Sequence, residues 1–303
     1  MEVVRNVYDF ISSMETGIAL IALVGLASAL GSLFLPEAFF STLLFKLLLC
    51  LLFLNVLLCT VNWLTRLKRW FFKGFQNRRW WLSQFGILLL HVGIVLVLAG
   101  GAVYTFCGQS AMLTIKKGDT ADVSSVMKVE KLFLLHLNDF EIEFNDDGSP
   151  AQYYSHVAVF EDAAEKKNCS ISVNHPLKYG GVKAYQESFG YLVKARGSYS
   201  AGNEKEYLLN EGEFLQILGA ERTVKVYRYI PNFDPAYGMS SKTARPDNPR
   251  VVFSVYQRDK LLEVGVARFG ESIEIDDGIN VVFAGVEPYT VLKLKSDPGL
   301  PVA

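Results

Sequence analysis

Three long runs of apolar residues dominate the first third of the chain, at about 17–35, 42–64 and 82–106. A helix needs about 20 apolar residues to cross roughly 30 Å of hydrocarbon at about 1.5 Å per residue, and each run is long enough. The first run exceeds the roughly 7–15 apolar residues of a cleaved signal peptide, so we interpret it as an uncleaved anchor. The pattern predicts a bundle of three transmembrane helices within residues 1–106.

The remaining residues form shorter runs in which apolar and polar positions often alternate. "YYSHVAVF", "RTVKVYRYI" and "INVVFAGVEPYTVLKLK" are rich in Val, Ile, Tyr and Phe, and Gly, Asn, Asp and Pro separate such runs. This pattern predicts β-strands. We expect residues 107–303 to form one large all-β domain, either a sandwich or an irregular barrel. The Pro-rich and Ser-rich segment 231–249 predicts a long loop that is mobile or contacts a partner.

Charge is distributed unevenly, and this predicts an orientation. Residues 1–106 contain eight Lys or Arg and four acidic residues, although the net charge of the whole chain is −1. Six of these basic residues lie in the segment 65–81, between the second and third runs. The positive-inside rule places this segment and the N-terminus in the cytoplasm and residues 107–303 outside. Tryptophans and phenylalanines in the same segment predict an interfacial belt and a short helix on the inner leaflet. The bilayer is the expected partner, and nothing in the charge pattern predicts one made of nucleic acid.

Motifs of self-contained catalysis are missing from the sequence. It contains no CxxC, CxxCH, HExxH or GxSxG motif and no phosphate-binding glycine loop. Cys107 and Cys169 are predicted to lie outside the membrane, where a disulfide is chemically allowed, but their spacing does not support one. The sequence predicts no catalytic residue and no metal site, and hence a protein that is non-catalytic alone.

His91 is the unusual polar residue of the third run, about 14 Å from its start. An ionisable side chain at that depth is costly unless it faces another helix or a ligand. One interpretation is a hydrogen bond to Asn55, which lies at a similar depth on the second run, one turn before Cys59. The other is that the neutral imidazole coordinates a metal or haem iron. Gly86 and Gly93 flank His91 and favour close helix packing, within the bundle or against another protein.

Several segments, in the same order along the chain, resemble the ResB/CcsB family of System II cytochrome c biogenesis. These are "FKLLLCLLFLNVLLCTVNWLTRL", "LLLHVGIVLVLAGGAVYTF", "NDFEIEFNDDGSPAQYYSHVAV" and "VNHPLKYGGVKAYQESFG". The resemblance implies a protein of the bacterial inner membrane that works with a CcsA/ResC-type membrane partner. The partner would carry a tryptophan-rich haem segment that this chain lacks. The implied complex exports haem and forms thioether bonds to the CxxCH thiols of apocytochrome c.

The resemblance also implies roles for the histidines. A transmembrane histidine of the family is implicated in holding haem, and His91 matches it, which makes His91 the candidate axial ligand. A second ligand would then come from the partner. Thiol-reducing proteins are a further expected class of partner. His175, in "VNHPLKYGG", is predicted to form a structural corner, while His136 and His156 are predicted to be ordinary residues of strands.

One feature departs from the family, and one alternative function stays open. In the family, the segment resembling "YTVLKLKSDPGLPVA" leads into a fourth transmembrane helix, whereas this sequence ends at Ala303. We therefore expect the bundle to be incomplete in a chain of this length. The alternative is a non-catalytic membrane scaffold or sensor whose β-domain binds a protein and whose His91 is purely structural. Such a protein would purify without haem.

Overall fold

A computed structural model describes residues 2–34, 39–71, 78–198, 204–216, 220–276 and 278–298. The helices are α1 (Glu2–Ile11), α2 (Met14–Phe34), α3 (Leu43–Phe71) and α4 (Arg78–Cys107), with a short 3-10 turn at Phe39–Ser41. Contacts divide the chain into a helical unit that ends at Gly108 and a β unit, Gln109–Ser296.

Three helical segments are long and apolar enough to cross a membrane, as the sequence predicts. They are Met14–Phe34, Leu43–Lys68 and Leu82–Cys107, of 21, 26 and 26 residues. The separate interfacial helix expected within 65–81 is not seen in the described part of that segment, which consists of the end of α3 and the start of α4. Residues 72–77 lie outside the described residues. Within the described ranges, the three helices able to span a membrane therefore correspond to the three apolar runs.

A glycine and three aromatic rings fix the turn between α2 and α3. A Cβ added to Gly31 would lie 2.1 Å from a ring atom of Phe39, so only glycine lets this ring lie against α2. The rings of Phe39, Phe40 and Phe45 pack with centroids 5.3–5.5 Å apart. Such contacts stabilise packing beyond the burial of area alone, and here they hold the helical hairpin at its turn.

The β unit contains fourteen strands among the described residues. They are β1 (Gln109–Lys116), β2 (Thr120–Asp122), β3 (Leu134–Phe144), β4 (Pro150–Glu161), β5 (Ala164–Ile171), β6 (Leu177–Tyr179), β7 (Val182–Ser198), β8 (Glu204–Leu209), β9 (Phe214–Gln216), β10 (Arg222–Ile230), β11 (Arg250–Gln257), β12 (Lys260–Ala267), β13 (Ser272–Asp276) and β14 (Ile279–Ser296).

These strands form three antiparallel sheets that are not closed into a barrel. The central sheet has the order β1-β14-β7-β6, with β13 beside β14 and β8 beside β7. The other two sheets have the orders β2-β3-β4-β5 and β12-β11-β10-β9. The prediction of an all-β region is confirmed, and of its two alternatives the barrel is wrong.

A long two-stranded ribbon, made of β7 and β14, is shared by two separate hydrophobic cores. Its strands have 17 and 18 residues, about three times the usual length. Val182 and Leu294 belong to one core, with β3 and β4, whereas Val193 and Val281 belong to the other, with β10 and β11. Each half of the ribbon is therefore covered by its own four-stranded sheet.

The loop 231–249 is tied to both parts of the β unit. Asn232 Nδ2 donates to Thr243 Oγ1 at 2.8 Å within the loop. Arg245 reaches the turn between β3 and β4, where its Nη1 donates to the carbonyl oxygen of Asn145 at 3.2 Å. The loop prediction is correct, but these bonds order the segment. It links the sheet that contains β10 to the sheet that contains β3.

Candidate functional site

His91 lies on the face of α4 that is least exposed. Partly buried residues recur along the helix at Gln84, Leu88, His91, Val95 and Leu98. Spacings of three and four residues place side chains on one helical face, and α4 packs against α3. The imidazole therefore shares the face of α4 that is shielded within the bundle, rather than the fully exposed face.

One ring nitrogen of His91 is engaged by its own helix. The Nδ1 atom lies 2.9 Å from the carbonyl oxygen of Ile87, one turn earlier. A carbonyl oxygen only accepts, so Nδ1 carries the hydrogen. In the neutral ring the lone pair then resides on Nε2, which has no hydrogen-bond partner among the described residues. A histidine whose other nitrogen is fixed by a backbone carbonyl is the usual form of a metal ligand. The geometry thus leaves Nε2 able to coordinate an iron.

The predicted hydrogen bond between His91 and Asn55 is wrong. Asn55 is 1% exposed, and its Nδ2 donates to the carbonyl oxygens of Ile11 and Ser13, at 2.5 and 3.0 Å. Matching depth is not sufficient for contact, because the rotation of α3 turns Asn55 towards the junction of α1 and α2. The carbonyl of Ile11, at the end of α1, has no partner within its helix, whereas the carbonyl of Ser13 also accepts the backbone N–H of Gly17 at 3.2 Å. Asn55 donates to these carbonyls and not to His91.

Further side chains of α3 extend this contact along α1. Cys59 Sγ lies 3.1 Å from the carbonyl oxygen of Ser12, and Tyr8 Oη donates to Asn62 Oδ1 at 2.7 Å. Together with Asn55, these residues form a polar ladder between α3 and the α1–α2 junction. Polar contacts of this kind associate helices in lipid, where the hydrophobic effect supplies little attraction.

The apolar pattern described above predicts no helix at α1, yet α1 is strongly amphipathic. Val3, Val7 and Phe10 are 75%, 51% and 68% exposed. Their spacing of four and three residues places them on one face, which is the signal that could have located the helix. A short helix of this type next to a transmembrane segment suits the membrane interface.

The glycines near His91 in sequence lie on the opposite face of α4. At about 100° per residue, Gly86 and Gly93 are both roughly 200–220° away from His91. A Cβ added to either would meet no atom within 4 Å. In contrast, a Cβ on Gly17 of α2 would lie 2.6 Å from Asn55 Oδ1. Gly17 of α2 serves packing inside the bundle, whereas Gly86 and Gly93 face open space.

The other histidines occupy structural positions in the β unit. Ser172 and His175 form a β-bridge through two backbone hydrogen bonds of 3.0 and 3.3 Å, and Asn174 between them has a φ of 66°. His175 is thus part of a tight corner. His136, in β3, pairs with Thr120 Oγ1 at 2.9 Å, and His156, in β4, lies 3.9 Å from Glu141.

The described residues contain no disulfide and no cluster of metal-binding side chains. All four cysteine thiols are free. Within the part of the chain that the structure describes, no group of three or more His, Cys, Asp or Glu side chains is placed to hold a metal ion.

Comparison with known families identifies the chain. The model of the family described as "ResB-like family" matches residues 77–296, which include α4 and the whole β unit. The chain belongs to the ResB-like family. The matched residues include both His91 and the β7–β14 ribbon.

Proteins that are similar to this ResB-like chain have names that refer to cytochrome c biogenesis. Cytochrome c biogenesis protein CcsB of Picosynechococcus sp. is 26% identical over 234 residues, covering 73% of this chain and 47% of the relative. Ccs1 of Porphyra purpurea is 22% identical, with coverages of 73% and 49%. Chloroplastic CCS1 of Oryza sativa subsp. japonica is 26% identical, with coverages of 76% and 41%. The chain spans about half the length of the curated relatives that it matches. The chain has the apolar helices of a membrane protein, and cytochrome c biogenesis is the role named for these relatives.

Proposed function

We propose that this chain is the ResB/CcsB-type subunit of a complex that delivers haem across the membrane for attachment to apocytochrome c. The observation that supports the proposal best is the free Nε2 of His91, on the shielded face of a membrane-spanning helix. The names of the relatives supply the biological context. In this proposal haem is the cargo, and His91 Nε2 supplies one axial ligand to its iron.

The residues of this chain hold and orient the cargo and do not perform the attachment. The carbonyl of Ile87 keeps the hydrogen of His91 on Nδ1, which selects the neutral tautomer whose lone pair is on Nε2. The second axial ligand, and the thioether chemistry at the CxxCH thiols, would belong to a CcsA/ResC-type partner. Gly86 and Gly93 offer that partner a surface on which a helix can approach closely.

The orientation follows from the basic residues that flank the helices. We propose that the N-terminus and the segment 65–81 lie in the cytoplasm and that the β unit lies outside, in a bacterium across the inner membrane. The β unit would then be on the side where apocytochrome c receives haem. Cysteine substitution at the exposed Leu132 (70% exposed), in a chain whose four native cysteines are replaced by alanine, followed by labelling of intact cells with a membrane-impermeant maleimide, tests this topology.

An absorption spectrum tests the role of His91. The chain is purified with a CcsA-type partner, as wild type, as His91→Gly and as the control His136→Gly. We expect a Soret band in the wild type and the control, and its loss or weakening in His91→Gly although the complex stays intact. Added imidazole should restore the band in His91→Gly, because it can occupy the space of the lost ring. Equal bands in all three proteins would show that His91 does not hold haem. Colourless preparations throughout would instead favour a scaffold.

A further inference from the structure

A cleft of about 400 Å³ opens at the middle of the β7–β14 ribbon, between the two cores of the β unit. Its lining residues come from four separate parts of the chain and include Gly190, Tyr191, Asn210, Glu211, Tyr229 and Tyr289. Pro231, the first residue of the predicted loop 231–249, also lines it, and the proposed haem site on α4 does not involve it.

Aromatic rings form much of the wall of the cleft. Tyr191 and Tyr229 meet edge to face, with centroids 5.1 Å apart, and the ring of Phe269 stacks on Tyr229 at 6.0 Å. Tyr289 pairs with Gly190 across the ribbon, and a Cβ on Gly190 would lie 2.2 Å from Tyr289 Oη. The glycine therefore allows the tyrosine to lie flat over the backbone. The wall presents three tyrosine rings in one small volume.

The polar side chains of the cleft carry hydroxyl, amide and carboxylate groups, and one of the hydroxyls is unused. The Tyr229 side chain is buried (6% exposed), and its hydroxyl has no hydrogen-bond partner within the described residues. Burial raises the pKa of Tyr191 to about 12 and raises the pKa of Tyr229 as well. Both hydroxyls are therefore neutral at physiological pH, and a neutral hydroxyl can accept a hydrogen bond.

Glu211 gives the cleft a negative charge. Its Oε1 accepts the backbone N–H of Tyr229 at 2.8 Å, which fixes the carboxylate at the cleft. The side chain is exposed, so the remaining lone pairs of the carboxylate are accessible. None of the lining residues is Lys, Arg or His. No cationic side chain among the lining residues therefore neutralises the charge of Glu211.

We propose that this cleft binds an alkylammonium group, such as the end of a lysine side chain. Aromatic faces attract a cation through the ring quadrupole, and the carboxylate of Glu211 adds direct attraction. The ammonium hydrogens would also satisfy the buried hydroxyl of Tyr229. An anion would be repelled by Glu211, and a purely apolar ligand would leave the Tyr229 hydroxyl without a partner.

Ligand-observed NMR on the full chain in nanodiscs tests the proposal. The probe is N-acetyl-lysine-N-methylamide, and the matched neutral probe is N-acetyl-norleucine-N-methylamide. We expect saturation transfer to the lysine probe only. Butylammonium serves as a third probe, because it separates recognition of the ammonium alone from recognition that also needs the peptide groups. Equal transfer to the lysine and norleucine probes, or none to either, would overturn the proposal.

Two charge-removing variants identify the site. Glu211→Gln keeps an oxygen that accepts the N–H of Tyr229, so the fold should be retained while the charge is lost. We expect it to weaken binding of the lysine probe about fivefold, the usual size of a partly exposed cation contact. Glu263→Gln, on the exposed face of β12, makes the same change outside the cleft and should leave binding unchanged. Equal effects of both variants would show that binding is not at the cleft.

Discussion

The polar ladder between α3 and the α1–α2 junction predicts that Asn55→Ala loosens α1. Asn55 is nearly fully buried and donates to two backbone carbonyls. Alanine removes both hydrogen bonds, so the carbonyl of Ile11 loses its side-chain donor and that of Ser13 keeps only the backbone N–H of Gly17. The matched control is Asn6→Ala, since Asn6 is an exposed residue of α1 itself.

The expected size of the effect follows from the two lost bonds. Side-chain hydrogen bonds between transmembrane helices contribute about 0.6 kcal/mol each on average. Two of them amount to about 1.2 kcal/mol, which changes an opening equilibrium about eightfold. The cavity left by the shorter side chain adds to this value, so about eightfold is a lower bound.

Cys59 supplies the assay, because its thiol lies against Ser12 of the same junction. The other three cysteines, Cys50, Cys107 and Cys169, are replaced by alanine, and the rate of labelling by N-ethylmaleimide is measured in the native state. If opening of the α1 contact exposes the thiol, Asn55→Ala should be labelled at least about eight times faster than its parent, and Asn6→Ala within about twofold of it. An unchanged rate in Asn55→Ala would refute the claim that the ladder holds α1 in place.

Three further predictions concern the β unit. Gly190→Ala should destabilise it by about 1–3 kcal/mol in urea unfolding, because the new methyl group meets the cross-strand tyrosine; an unaltered midpoint would contradict the packing. Leu135→Ala, in a fully buried position, should cost about 2–5 kcal/mol, whereas Leu132→Ala, 70% exposed, should cost little. The side-chain hydrogen bond from Lys117 lowers the pKa of Asp139 in the folded protein. The bond therefore stabilises the fold fully above the ordinary carboxyl pKa of about 3.9. This stabilisation is lost as the pH falls through the lowered pKa of Asp139. Lys117→Gln should raise that pKa in an NMR titration, and no rise would rule out the pair.

Local patterns in the sequence were sufficient to predict which segments form helices and which form strands. The apolar runs around His91 and Asn55 predict helices because the transfer of 20 apolar residues into lipid outweighs their other preferences. The alternating runs in β4, β10 and β14 predict strands because one face is buried and the other is wet. The amphipathic spacing in α1 is a signal of the same local kind, but it is short and lies beside a stronger apolar run.

The contacts of individual side chains depend on quantities that no local pattern contains. Depth along a helix can be counted from the sequence, but the rotation of α3 decides that Asn55 meets Ile11 and Ser13 instead of His91. In the same way, the pairing of β7 with β14, more than 80 residues later, decides that Tyr289 lies over Gly190 and that the ribbon serves two cores. The sequence by itself determined where the chain is apolar, and therefore its helices, strands and membrane association. Only the tertiary structure decided which polar groups meet, because helix rotation and strand register are set by packing between segments far apart in the chain.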